Sequence, residues 1–258
     1  MPKTNPVIFV GAGPGDPELI TVKGQRALMN ADLVIYAGSL VPESLLTWTT
    51  KGVKILSSAS MHLAEIIEEI KKYYLDGKNV VRLHTGDPSL YGAIFEQMAE
   101  LKKKSIDYIV IPGVTAAFAA AASMGIEYTL PEISQTLILT RMEGRTPVPE
   151  AEALAKLATH QASMVIYLSI TMIDKVSEIL EKTYGGECAC AVAFRVSQPE
   201  EKIFCTQVKD LARIVKEKKI THQALIIVGK ALNVSLDQLK YKSKLYDKKF
   251  QHGYRGLE

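Results

Sequence analysis

Cysteine is scarce in this chain: Cys188, Cys190 and Cys205 are odd in number, and no Cys-x-x-Cys pair occurs. A disulfide framework is therefore not expected. The five histidines show no metal-ligand spacing around these thiols, so no metal site is expected either. The thiols read as reduced core residues in a reducing compartment. Long apolar runs are missing too. The stretch from Val114 to Met124 is interrupted by Thr115 and Ser123 and is far too short to span a bilayer. The opening Met1-Pro2-Lys3-Thr4-Asn5-Pro6 has no basic region followed by a longer apolar one, so a cytoplasmic location is expected. Charge of one sign is also lacking. A net charge of +3 gives no basis for a nucleic-acid partner. Much of it sits in a tail from about residue 233, where Lys240, Lys242, Lys244, Lys248, Lys249 and Arg255 face only Asp247 and Glu258, and this reads as a solvated terminus.

What is present is an ordinary globular composition, 47% hydrophobic and 23% charged, over 258 residues. That length suits two modest domains. The first half alternates short apolar runs with helical patterns, the mark of a parallel α/β sheet. Strands are expected at Val7 to Val10, Asp32 to Tyr36, Val80 to Leu83 and Tyr108 to Ile111. Helices are expected at Met61 to Tyr74, ended by Asp76-Gly77, and at Ala93 to Lys103. Pro112-Gly113 breaks the fourth strand, and the alanine-rich run from Ala116 to Ala122 starts a helix. In the second half, strands are expected at Thr136 to Thr140, Met164 to Leu168, Ala191 to Arg195, Lys202 to Cys205 and Ala224 to Val228. The gap from Val196 to Lys202 suits an antiparallel hairpin and is too short for a parallel crossover, which makes the second sheet mixed. The expected fold is thus two α/β domains, 1–114 and 115–258, the first mainly parallel and the second mixed.

Four segments at strand ends carry polar groups or glycines. Gly11-Ala12-Gly13-Pro14-Gly15-Asp16-Pro17 follows the first strand. It is not a dinucleotide loop: the third glycine comes one residue early, Pro14 removes an amide donor, and Asp16 puts negative charge where phosphate would sit. It reads either as a loop lining a site or as a tight turn with no ligand. His84-Thr85-Gly86-Asp87-Pro88-Ser89-Leu90-Tyr91-Gly92 lies at the carboxyl end of a central strand, where open α/β sheets place ligands. Asp87 or Ser89 also reads as a helix N-cap there. Pro112-Gly113-Val114-Thr115-Ala116-Ala117-Phe118 offers either close backbone approach to a ligand or close helix packing. Thr140-Arg141-Met142-Glu143-Gly144-Arg145-Thr146-Pro147 places two arginines, suited to gripping carboxylates, in a loop that reads equally as solvated surface.

Together these segments are similar to the signatures of a known family. Val10 through Gly24 resembles the first signature of the tetrapyrrole (corrin/porphyrin) methylases, and Val80 through Gly92, continuing to Ile111-Pro112-Gly113, resembles the second. Within that family, several details resemble the branch acting on carbon 11 of precorrin-4 or its cobalt form. They are Tyr36-Ala37-Gly38-Ser39-Leu40-Val41, Met61-His62-Leu63, Thr85 through Ile94 with Glu96-Gln97, and Gln135 through Glu150. Members acting on uroporphyrinogen-III carry two glycines before the aspartate, and here Thr85 replaces the first.

The resemblance implies an S-adenosylmethionine-dependent C-methyltransferase of cobalamin biosynthesis. It implies a homodimer of two-domain subunits, with the active site in the cleft between the α/β domains and a tetrapyrrole as substrate. Cofactor contacts are expected from Pro14, Thr85, Gly86, Asp87, Leu90, Thr115, Ala116, Leu168, Val196 and Ala224. Substrate contacts are expected from Gly11, Gly13, Gly15, Asp16, Tyr91 and Arg145, with Asp87 and Arg141 as the candidate catalytic pair. Asp87 is expected to orient the cofactor or a substrate nitrogen and not to act as a nucleophile. Alternatives are a methylase of the same family acting on another ring carbon, a non-catalytic corrinoid-binding protein, and a nicotinamide-dependent oxidoreductase. The last is disfavoured by Pro14 and Asp16.

Overall fold

The apolar run Val-Ile-Phe-Val forms β1 (Val7–Gly11), buried on both faces as a central parallel strand requires. Four parallel strands join it: β2 (Leu33–Tyr36), β3 (Lys54–Ser57), β4 (Val80–His84) and β5 (Tyr108–Ile111), in the order β3-β2-β4-β1-β5. The helices α1 (Val22–Met29), α2 (Leu63–Leu75) and α3 (Ile94–Lys103) make the crossovers. Ile66, Ile67, Ile70 and Tyr74 of α2 recur at helical spacing and pack with Phe9, Leu33, Ile35 and Leu101 on one sheet face. Leu28 of α1 packs with Val10, Val34 and Leu83 on the other. A Leu, Ile or Phe fully buried in this way contributes about 1.5–3 kcal/mol. α4 (Ala116–Met124) follows β5.

The second sheet contains β6 (Leu137–Arg141), β7 (Ser163–Tyr167), β8 (Ala189–Phe194), β9 (Lys202–Gln207) and β10 (Ala224–Val228), in the order β6-β7-β10-β8-β9. Only β6 and β7 pair in parallel, and β8 and β9 form the expected antiparallel hairpin, so this sheet is mixed. The helices α5 (Leu154–Ala158), α6 (Ile173–Tyr184) and α7 (Leu211–Glu217) supply Leu154, Val176, Leu180, Leu211 and Val215 to its core.

This computed structural model describes residues 5–38, 40–235, 237, 242–247 and 250–251. Ser39 and, in the basic tail, Lys240, Lys248, Lys249, Arg255 and Glu258 lie outside the described residues. The chain divides into two compact units, Met1–Ser123 with Arg195–Glu201, and Met124–Phe194 with Lys202–Glu258. Residues 115–123, expected with the second domain, group with the first unit, and α4 buries Ala117, Ala119, Ala120 and Ala121. Among the described residues no helix is long and apolar enough to cross a membrane. The expectation that all three thiols are core residues needs correction: Cys190 is buried and Cys188 half-buried, but Cys205, on edge strand β9, is exposed.

Candidate active site

β1 and β4 lie side by side, but the chain leaves them in opposite directions, through α1 toward β2 and through α3 toward β5. That reversal makes the carboxyl ends of the two strands a topological switch point, the usual ligand position in an open parallel sheet. The loops on either side of it are 11–17 and 85–93. They are joined directly: Gly86 N donates to Gly13 O (2.8 Å) and Gly13 N to Gly86 O (3.2 Å), an isolated antiparallel bridge beyond the parallel sheet. Both glycines hold positive φ, 79° and 59°, which a β-carbon would disfavour.

A third glycine closes the knot from β5. A Cβ on Gly11 would lie 2.6 Å from Gly113 Cα and 2.7 Å from Gly86 O. The need for glycine at 11 therefore comes from packing of three loops on one another. The amides of Gly13 and Gly86 are likewise spent on each other.

Asp87 is the second fastening. Its Oδ1 accepts from Ser89 N (2.8 Å) and from Ser89 Oγ, and its Oδ2 accepts from Gly113 N (2.9 Å). Burial is the largest single influence on this carboxyl and pushes its pKa up. The hydrogen bonds from Ser89 Oγ, Gly113 N and Ser89 N together outweigh it and hold the carboxyl below its ordinary value. Asp87 is thus ionised, and it ties the β4 loop to the β5 loop. It does not cap α3, contrary to the expectation for Asp87 or Ser89. That helix begins at Ile94, and its N-cap is Ala93, held left-handed at φ 48°. Tyr91 is left-handed as well (φ 57°) and exposed. Gly92 packs where a Cβ would overlap the Pro88 carbonyl, so the loop turns too tightly for the helix to start earlier.

The remaining expected residues of this unit sit around the same loops. Thr85 and Leu90 are half-buried. Thr115 is buried, and its carbonyl accepts the first amides of α4, Phe118 N (3.1 Å) and Ala119 N (3.3 Å). A Cβ on Gly86 would meet only Thr115 Cα (3.8 Å) and Val114 O (3.9 Å), which places Thr115 beside the bridge, with half-buried Ala116 next in the chain. Pro14 and Gly15 are buried, and Asp16 caps the short 3-10 turn Pro17–Leu19 by accepting from Glu18 N (2.8 Å). α1 starts only at Val22, which removes any dinucleotide-type helix terminus from the glycine loop.

Two partners of that loop escaped the sequence reading. Ser197 Oγ accepts from Asp16 N (3.0 Å), and Gln198 occupies the space that a side chain at Gly15 would need. They lie in the turn 195–201, whose Val196 is buried, and Glu201 accepts from Ser197 N and from Ser123 Oγ. A short polar turn in a hairpin carries no local mark of such a role.

In the second unit, Leu168 directly follows β7, left-handed at φ 52° and 61% exposed. A leucine in that conformation costs about 1–2 kcal/mol. Such strain marks candidate functional positions. Beside it Ser169, also missed from sequence, is fully buried. Its hydroxyl donates to Tyr167 O (2.6 Å) and accepts from Met142 N (2.8 Å), joining the ends of β7 and β6. Arg141, the last residue of β6, donates to Thr146 O (3.2 Å) and Pro147 O (2.7 Å), so part of its guanidinium shapes its own loop. Arg145 at the tip is exposed, and Ala224 is buried as the first residue of β10.

Comparison with known proteins bears on the family and the fold. The sequence model of the Tetrapyrrole (Corrin/Porphyrin) Methylases matches residues 6–212. A cobalt-precorrin-4 C(11)-methyltransferase of Methanocaldococcus jannaschii is 54% identical over 99% of this chain and 98% of its own length. A precorrin-4 C(11)-methyltransferase of Pseudomonas aeruginosa is 43% identical over 96% of this chain and 98% of its own length. Among solved structures, a cobalt precorrin-4 methyltransferase described as a cobalamin biosynthetic enzyme superposes with a TM-score of 0.85 at 45% identity, covering 88% of this chain and 95% of that one. A match across most of the chain and relatives aligned nearly end to end lead to one assignment: this chain belongs to the tetrapyrrole (corrin/porphyrin) methylase family.

Proposed function

We propose that this chain transfers a methyl group from S-adenosylmethionine to carbon 11 of cobalt-precorrin-4 in cobalamin biosynthesis, and takes the cobalt-bearing ring in preference to metal-free precorrin-4. The observation that carries the reading is identity over nearly the whole of both chains, 54% with a cobalt-precorrin-4 enzyme against 43% with a precorrin-4 enzyme.

The residues present suit S-adenosylmethionine. The left-handed turn at Gly86 leaves backbone uncovered beside Thr115, so a flat or bulky group can approach it closely. Thr85 and Asp87 flank that turn in the chain, and Pro14, Leu90 and Ala116 are proposed as further cofactor contacts from the first unit. Leu168, Val196 and Ala224 are the further apolar contacts proposed for the cofactor. When bound, the cofactor supplies a sulfonium methyl, an electrophile that an electron-rich ring carbon attacks directly. The protein's task is then to hold, align and keep out water, effects worth about 7–11 kcal/mol when geometry is good.

Asp87 performs the first of these tasks through Ser89 and Gly113. A carboxylate has about four lone-pair sites, so acceptor capacity remains on Asp87 to orient a ligand N–H. Tyr91 and the rim formed by Gly11, Gly13, Gly15 and Asp16 are proposed for the substrate, with Gly11 acting through the packing it permits. Arg145 and the free donors of Arg141 are proposed to grip the carboxylate arms of the ring. A cytoplasmic homodimer belongs to the same proposal. It is supported by the free cysteines and by the exposed apolar side chains of Phe95, Ile109, Val110 and Phe118 on the first unit.

A competition assay tests the substrate preference. With equal precorrin-4 and cobalt-precorrin-4 and limiting labelled cofactor, at least about ten times more label should enter the cobalt ring, a difference of about 1.4 kcal/mol in transition-state binding. Equal labelling of the two rings would remove the preference.

A further inference from the structure

Arg82 is a buried arginine, 4% exposed, on the central strand β4, and all its hydrogen bonds run to neutral acceptors. Nε donates to Gln97 Oε1 (3.0 Å), Nη1 to Ile35 O (3.0 Å) and Leu83 O (3.4 Å), and Nη2 to Ser58 Oγ (3.0 Å). Burial alone draws its pKa down to about 10, so the guanidinium stays charged at neutral pH. A titratable group that feels its charge is His84, two residues on along the same sheet face and stacked on Phe9 (5.9 Å). Burial first, and then the charge of Arg82, push it down to about 3, so that imidazole is neutral. A buried cation without a carboxylate is costly, and plain packing would not need it. Its partners indicate a use. Ser58 Oγ donates onward to Tyr36 O (3.1 Å), and Gln97 Nε2 donates to Ala93 O (3.3 Å). Arg82 thereby links the ends of β2 and β4 and the segment after β3 to α3, and through Gln97 it reaches the left-handed residue that closes the loop 85–93.

We propose that Arg82 and Gln97 are positioning residues: their relay to the Ala93 carbonyl fixes the distal end of the loop 85–93, as the Gly13–Gly86 bridge and Asp87 fix its proximal end. The cofactor role given to that loop rests on the function proposed above; the positioning role does not.

Gln97→Glu separates positioning from bulk stability. The carboxylate keeps an acceptor for Arg82 Nε and supplies the missing counter-charge, but loses the donor to Ala93 O. The thermal midpoint should stay at or above that of the unsubstituted protein. Hydrogen exchange of the 86–93 amides, measured without cofactor, should quicken about tenfold, and the Kd for S-adenosylmethionine should rise about tenfold, each equivalent to roughly 1.4 kcal/mol. Gln97→Met loses both bonds and should show the same loop exchange with a lower midpoint. It also carries the test should the glutamate variant fold poorly. Unchanged 86–93 exchange in the folded variants overturns the proposal. Quickened exchange in a protein whose unsubstituted form binds no S-adenosylmethionine upholds the positioning and instead removes the cofactor reading.

Discussion

Gly113→Ala is expected to lower methyl transfer about a hundredfold, because displacement of aligned groups by about an ångström can cost that much. The added Cβ would overlap the Gly86 carbonyl oxygen and stand 2.8 Å from Gly11 Cα. None of these is a flexible side-chain tip that could swing aside. One loop must move, and each neighbouring loop is tied: 11–17 by the Gly13–Gly86 bridge and 85–93 by Asp87. Overpacking of this kind also costs about 1–3 kcal/mol of stability. The core lies in the sheet below, so the variant should fold. The check is kcat/KM together with the thermal midpoint. A folded Gly113→Ala protein with full activity would show that the three-glycine contact does not shape the site.

Asp87→Ala is the second large effect, again about a hundredfold in kcat/KM, with the fold retained. Loss of the carboxylate leaves Gly113 N and Ser89 N without their acceptor and frees the β4 loop from the β5 loop. Asp87→Asn should do little better, since an amide offers one accepting oxygen where two are used. The ionised form also sets the pH dependence. The folded-state pKa lies below the ordinary carboxylate value, so the fastening is fully present above that value, about 3.9, and is lost as pH falls through the lower folded-state value. Cofactor affinity should therefore not follow Asp87 between about pH 8 and 5. A cofactor-binding transition in that window that disappears in Asp87→Ala would contradict the assignment.

Much of this architecture could be read locally. Val7–Gly11, Val80–His84 and Tyr108–Ile111 are apolar runs ended by turn residues, and the brief gap between β8 and β9 leaves only a hairpin. Five elements had no expectation: α1, β3, α5, α6 and α7. α1 is short and carries Gly24 in its interior, kept because a Cβ would lie 2.9 Å from Val10 Cγ1. β3 is a four-residue edge strand, mostly exposed, so its residues show no burial pattern. The candidate site was legible as four loops. Their union was not, because it depends on β4 inserting between β1 and β2, a long-range order that no local period records. For the same reason, Asp87 looked like a helix cap until Gly113, 26 residues on, proved to be its partner. Arg82 stood inside an apolar run with no sign of where its charge would go.

The most direct test of the central claim is transfer of labelled methyl from S-adenosylmethionine to cobalt-precorrin-4 by the purified protein, with the labelled carbon located by NMR. The account predicts a single new methyl group, at C11. Label at another ring carbon, or none while S-adenosylmethionine is bound, would contradict it.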